Sequence, residues 1–153
     1  MNIIITMAGE GRRFREAGIT TPKPMIELRG KSLFEWALKS LENFYSYSFF
    51  FLSQGSIRAA PFIQEKAQGL GISKVSIKEL SGPTSGQAET ALLAEDMVAR
   101  KTDPILIYNI DTFVEPDYLK PSDIRGTGWI PAFRAEGNHW SFVRLDEHGR
   151  VID

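Results

Sequence analysis

A pair of glycines and a lysine held between prolines carry the clearest chemical potential in the sequence. Gly9 and Gly11 stand in the run Gly9-Glu10-Gly11-Arg12-Arg13-Phe14, after the apolar segment Asn2 to Thr6. Residues without a Cβ let backbone N–H groups approach phosphate oxygens, and cationic side chains neutralise the charge that remains. The run is not a dinucleotide fingerprint, because Phe14 stands where the third glycine belongs, and it is not a Walker loop, which needs Gly-Lys-Ser/Thr. Lys23 lies between Pro22 and Pro24, which stiffen the backbone on both sides and present one ammonium from a restrained loop. Asp111 follows the apolar run Ile105 to Ile110, and a carboxylate at the end of such a strand can hold Mg²⁺ against a triphosphate. Each feature also has a plain reading: a tight turn, a solvated lysine and a turn cap. Local spacing leaves both readings open. His139 and His148 have no partners at ligand spacing and are read as surface or structural residues.

These residues need a frame to bring them together. Asn2 to Thr6 is a β-branched run cut off by glycines, the pattern of a buried first strand. Ser32 as N-cap, with Glu35 three residues on and apolar residues at helical spacing, predicts a helix from Ser32 to about Asn43. Tyr47 to Leu52 reads as a strand, and Ile57 to Gly69 as a helix with Pro61 in its first turn. Val75 to Leu80 reads as a strand, Gly86 to Arg100 as a helix after the loop Ser81 to Ser85, and Pro104 to Ile110 as the next buried strand. Strands alternating with helices predict an α/β fold, a Rossmann-like, mostly parallel sheet flanked by helices. In such sheets ligands bind beyond the carboxyl ends of the strands, where the glycine turn and Asp111 would both sit. Later the rhythm changes: Gly126 to Arg134, Trp140 to Leu145 and Arg150 to Ile152 read as strands, with a turn over Asp146 to Gly149. A chain ending straight after an apparent strand reads as a longer fold cut short.

Composition narrows the function classes. With 153 residues, 42% hydrophobic and 24% charged, the chain has the profile of one globular domain able to bury a core without metal or disulfide. It has no cysteine, so thiolate catalysis and Cys-type zinc sites are excluded. Basic residues number 18 against 19 acidic, and a net charge of −1 argues against a nucleic-acid binder, so phosphate binding must be local. The N-terminus has no basic lead or cleavage pattern, and no apolar run approaches the roughly eighteen residues of a membrane span, which predicts a cytoplasmic protein.

The joint pattern is more specific than its parts. Ala8-Gly9-Glu10-Gly11-Arg12-Arg13-Phe14, then Pro22-Lys23-Pro24-Met25-Ile26 and Gly30-Lys31-Ser32-Leu33, resembles the signature of the sugar-phosphate nucleotidyltransferases, the nucleoside-diphosphate-sugar pyrophosphorylase family. Gly82-Pro83-Thr84-Ser85-Gly86-Gln87-Ala88 resembles that family's nucleobase loop, Asn109-Ile110-Asp111 its metal-aspartate position, and Val143 to Val151 the hairpin near its sugar pocket.

The resemblance implies transfer of a nucleotidyl group from a nucleoside triphosphate to a sugar phosphate, with release of pyrophosphate and dependence on Mg²⁺, for activated-sugar supply in surface polysaccharide synthesis. It implies that Ala8, Gly9 and Gly11 hold the triphosphate, that Arg13 draws on the leaving pyrophosphate, and that Lys23 bridges the reacting phosphates. Asp111 would bind Mg²⁺, Ser81, Gly86 and Gln87 would line the nucleotide pocket, and Trp140 would face the acceptor. Ser81 replaces the glutamine that uracil- and thymine-specific members often carry, and Ser141 replaces the glycine usual after the aromatic residue, so base and acceptor stay open. The second metal carboxylate and part of the acceptor lobe of the family lie beyond residue 153, so a single nucleotidyltransferase domain over residues 1–153, shortened on its acceptor side, is expected. The alternative is a non-catalytic nucleotide-binding regulatory or scaffold domain. An oxidoreductase is disfavoured by Phe14 and by the lack of an acidic residue closing a strand about twenty residues after the loop. Neither nucleic acid nor membrane is expected as a partner, and a homo-oligomer is compatible with the sequence.

Overall fold

The computed structural model describes residues 1–137 and 141–152, which divide into two compact units, Met1–Pro121 and Ser122–Asp153. The first unit holds a four-stranded parallel sheet in the order β5-β4-β1-β6, with β1 at Asn2–Met7, β4 at Ser48–Gln54, β5 at Val75–Leu80 and β6 at Ile105–Asn109. A short antiparallel pair, β2 (Glu27–Leu28) with β3 (Lys31–Ser32), stands apart from it. The helices are α1 (Arg12–Glu16), α2 (Leu33–Lys39), α3 (Ala60–Gly69) and α4 (Gln87–Leu92). The expected α/β, mostly parallel, helix-flanked sheet is the architecture observed.

β1 is buried along its whole length because it is central and both faces are covered. Successive residues of β4 serve opposite faces. Phe51 packs against Phe34 of α2 at 5.5 Å between ring centroids, and Phe34 against Phe62 of α3 at 5.5 Å. Leu52 joins Ile4, Leu80, Ala91 and Ala94 in a second cluster. Each fully buried Phe or Leu contributes about 1.5–3 kcal/mol of transfer free energy, so these two layers are the main cohesion of the unit.

Local readings hold where local chemistry decides. Ser32 and Glu35 form the expected capping box, each side chain taking the other's backbone N–H. α2 ends at Lys39, short of Asn43, and the chain continues as a 3-10 turn over Glu42–Phe44. The next helix starts at Ala60 rather than Ile57, because Arg58 at φ 44° breaks the helical path, and Pro61 occupies its first turn as expected. The helix expected to reach Arg100 stops at Leu92. Lys78 of β5 donates to the Leu93 carbonyl at 2.9 Å and to the Asp96 carboxylate at 2.8 Å, taking the acceptor that a further helical turn would use.

The second unit departs from expectation. Of the strands expected over Gly126 to Arg134, Trp140 to Leu145 and Arg150 to Ile152, the described residues show only one antiparallel bridge, Leu145 to Val151, around the expected Asp146 to Gly149 turn. An isolated hairpin is marginal in water, and no described strand supplies a neighbour for these segments. Ile130, Phe142 and Ile152 accordingly remain exposed. Trp140 and His139 lie outside the described residues.

Candidate active site

The sheet order places three strand ends side by side. β1 pairs with β6 in the register Thr6 to Asn109, and with β4 in the register Met7 to Ser53. The glycine loop after β1, Asp111 after β6 and Gln54 at the end of β4 therefore meet at the carboxyl edge, where an open α/β sheet binds its ligands. A cleft of about 350 Å³ opens there. Of the residues singled out from sequence, Ala8, Gly9, Gly11, Lys23, Gly86, Gln87 and Asp111 line it.

The glycine loop is shaped by its own backbone. Gly11 adopts φ 61°, the left-handed region that glycine enters without a Cβ penalty, and turns the chain into α1. The Gly11 carbonyl accepts from Phe14 and Arg15. Among the described residues, the backbone N–H groups of Gly9, Glu10 and Gly11 donate to no other protein group. They are available to a ligand with several oxygen acceptors. Gln54 steadies the loop from β4, its Nε2 donating to the Ala8 carbonyl at 2.6 Å.

Lys23 and Asp111 form the electrostatic centre of the cleft. Lys23 opens a 3-10 turn, Lys23–Met25, whose Pro24 is buried, so the prolines anchor the base of the lysine as their stiffness predicts. Its Nζ lies 2.5 Å from Asp111 Oδ2. The lysine side chain is 18% exposed and the aspartate 39%, so the pair is reachable from the cleft without being buried. Glu10 also lines the cleft but is engaged by Arg15 at 3.2 Å.

The far wall is a wired loop. Gly86, at φ 166° in extended backbone, precedes α4, and a Cβ built there would meet nothing within 4 Å. Ser85 donates both its backbone N–H and its hydroxyl to Glu89 Oε2 at 2.5 Å. Those two hydrogen bonds, the hydroxyl's first, hold the Glu89 carboxyl below its ordinary range. Thr84 and Thr90 share a hydroxyl hydrogen bond of 2.6 Å. Gln87 Nε2 donates to Thr6 Oγ1 at 3.3 Å, while the Thr6 hydroxyl donates to the Tyr108 carbonyl. That direction leaves Gln87 Oε1 as an acceptor beside the cleft.

Two candidates stand away from this wall. Arg13 is exposed on α1 and does not line the cleft, whereas Arg15 does. Ser81 is exposed and also outside the lining. Trp140 falls outside the described residues. Sequence reasoning passed over Gln54, Thr84 and Thr90, whose side chains organise the walls. The threonines flank the glycine of a loop already singled out, which was the available signal. Gln54 had none, since only the sheet order brings β4 beside the glycine loop.

For a cation the cleft supplies Asp111, and the described residues contain no cluster of three or more His, Asp or Glu at ligand distance. One carboxylate fits a hard ion such as Mg²⁺, which keeps several waters and takes its remaining ligands from substrate phosphates.

No protein-family model matches the sequence, and no curated protein matches it. Solved structures do. A nucleoside-diphosphate-sugar pyrophosphorylase from Vibrio cholerae RC9 is 35% identical with a TM-score of 0.86, the match covering 98% of this chain and 64% of that one. A Methanothermobacter nucleotidyl transferase matches with a TM-score of 0.54 at 18% identity over 76% of this chain and 53% of its own. A UDP-glucose pyrophosphorylase complexed with UDP-glucose matches at 0.54 and 16% identity, over 71% of this chain and 44% of that one. The last two likenesses are of fold alone. The present chain spans just under two thirds of the Vibrio protein's length. With that identity sustained across almost every residue here, and the expected loop, lysine and aspartate meeting at one sheet edge, the chain is similar in sequence and in fold to a nucleoside-diphosphate-sugar pyrophosphorylase, the resemblance its motifs led one to expect.

Proposed function

We propose that this cleft binds a nucleoside triphosphate and a sugar phosphate and transfers the nucleotidyl group between them. A phosphate oxygen of the acceptor attacks the α-phosphorus, the bond from that phosphorus to the bridging α,β-oxygen breaks, and pyrophosphate leaves with the electron pair. Such a displacement asks the protein for positioning and charge stabilisation, with little work for a side-chain base. The supporting observation is the convergence of free loop amides, Lys23 and Asp111 in one cleft. The N–H groups of Gly9 and Gly11 hold the triphosphate oxygens. Lys23 bridges the α-phosphate and the incoming phosphate, where negative charge crowds in the transition state. Gly86 lets base or ribose approach the backbone, and Gln87 Oε1 offers that ligand an acceptor. Arg13 draws on the leaving pyrophosphate once its exposed side chain turns toward the cleft.

Asp111 is the residue that would hold Mg²⁺, which when bound supplies Lewis-acid neutralisation of the polyphosphate. Activated-sugar supply for surface polysaccharide, in the cytoplasm, is the biological role we propose, on family resemblance. No helix among the described residues is long and apolar enough to cross a membrane. One observation favours the second reading, a nucleotide-binding domain without turnover: the cleft offers a cation one carboxylate free of an arginine partner.

The test is pyrophosphate release from CTP, UTP, dTTP, GTP and ATP with hexose 1-phosphates and Mg²⁺. Release with one nucleotide and one acceptor supports transfer. Thermal stabilisation by a nucleotide without release would support the binding domain, and a ligand at a hundred times its Kd adds about 2.7 kcal/mol. No stabilisation by any of them would overturn both readings.

A further inference from the structure

The ion pair at the centre of the cleft bears on how the site loads. Lys23 Nζ at 2.5 Å from Asp111 Oδ2 occupies the carboxylate that a cation would need. A divalent ion sits about 2.1 Å from a carboxylate oxygen, so the ammonium and the metal cannot share Asp111 at these distances without two positive charges in near contact. Glu10, the other carboxylate on the cleft wall, is paired with Arg15. Pro22 and Pro24 restrain the backbone of Lys23, so its ammonium starts from a fixed base beside the glycine loop, and the ion pair with Asp111 is what holds its flexible end. What can draw the ammonium off is a polyanion on the neighbouring loop amides.

We infer that Lys23 is the resident cation of Asp111 in the free protein, excluding divalent metal until a polyphosphate draws the ammonium onto itself, so that metal and polyphosphate enter the cleft as a coupled pair. The inference rests on the reading of Asp111 as the cation-holding carboxylate. It goes beyond that reading in giving the lysine a role before any substrate is bound. Coupling between sites is reciprocal, so polyphosphate strengthens metal binding by the factor that metal strengthens polyphosphate binding.

The experiment is a titration of the ligand-free chain with Mn²⁺, free ion being read by electron paramagnetic resonance, for wild type, Lys23→Gln, Lys23→Arg and Asp111→Asn. Lys23→Gln is expected to bind Mn²⁺ more tightly than wild type by about 5- to 150-fold, the usual range for coupled sites. Lys23→Arg, which keeps the positive charge, stays as weak as wild type, and Asp111→Asn shows no such site. Lys23→Met provides the same comparison should the glutamine variant not fold. In wild type, Mn²⁺ strengthens binding of inorganic tripolyphosphate, and in Lys23→Gln it does so much less. Equal or weaker Mn²⁺ binding by Lys23→Gln, with binding still abolished by Asp111→Asn, overturns the resident-cation role and leaves Asp111 as the cation site. Tight Mn²⁺ binding by Lys23→Gln that a further Asp111→Asn does not remove overturns the reading of Asp111 itself, and the inference with it.

Discussion

Lys23 Nζ and Asp111 Oδ2 meet at 2.5 Å across 88 residues of sequence. One group comes from a proline-stiffened turn and the other from the end of an inner strand's partner, so the contact exists only because β1 and β6 are neighbours in the sheet. It places an acid and a base, each with its own duty toward phosphate chemistry, in direct competition while the cleft is free of ligand.

Lys23→Ala is expected to lower the rate of pyrophosphate release by about 10²- to 10³-fold, the usual cost of removing one group aimed at transition-state charge. Stability should change by less than about 1 kcal/mol, because partly exposed ion pairs contribute little. Rate measurements beside thermal melts check both. An unchanged rate would remove Lys23 from the reacting phosphates.

Gly86→Ala separates binding from folding. Its backbone is extended at φ 166° and the space where a Cβ would sit is open, so the fold should lose no more than about 0.5 kcal/mol. A methyl group on the cleft wall should still weaken nucleotide binding, which calorimetry would show as a raised Kd. Gly11→Ala behaves oppositely. At φ 61° the substitution forces a left-handed side-chain residue and should cost about 1–3 kcal/mol.

Phe51→Ala tests the core that carries the site. Phe51 is fully buried and touches the rings of Phe34 and Phe49 at centroid distances of 5.5 and 6.0 Å. Its truncation should destabilise the chain by about 3–5 kcal/mol. A urea titration would register this as a lower midpoint, and loss below about 1 kcal/mol would mean that the aromatic layer is not the cohesive one.

Acid should loosen the loop before Gly86. Glu89 is held below the ordinary carboxylate range by the Ser85 hydroxyl and backbone N–H, so its ionised form is favoured in the folded chain. A folded pKa below the unfolded one means that the stabilisation is present above the unfolded pKa, about 4.3, and is lost as pH falls through the lowered value. The protection of the Ser85 amide, its NMR exchange rate taken relative to the intrinsic rate at each pH, should therefore hold through the mildly acidic range and fall below it. Glu89→Gln should show faster exchange at neutral pH and no acid step.

What the sequence determined by itself was what neighbouring residues decide among themselves. The β-branched run of β1, the Ser32 and Glu35 capping box, Pro61 in a first helical turn and the Asp146 to Gly149 turn are all present, because each depends on contacts within a few residues. Joint spacing of the glycine loop and Lys23 also made the resemblance to pyrophosphorylases legible, and seven of the ten singled-out residues line one cleft. Tertiary structure decided the rest. It ended α4 at Leu92, since Lys78 reaches over from β5, and among the described residues after Gly126 it left the single bridge Leu145 to Val151 where strands were expected. It brought Gln54 onto the Ala8 carbonyl and Lys23 onto Asp111. Those contacts follow from strand order and register, which are set by how whole layers bury their apolar faces, and no local pattern of residue types encodes which strand will lie beside which.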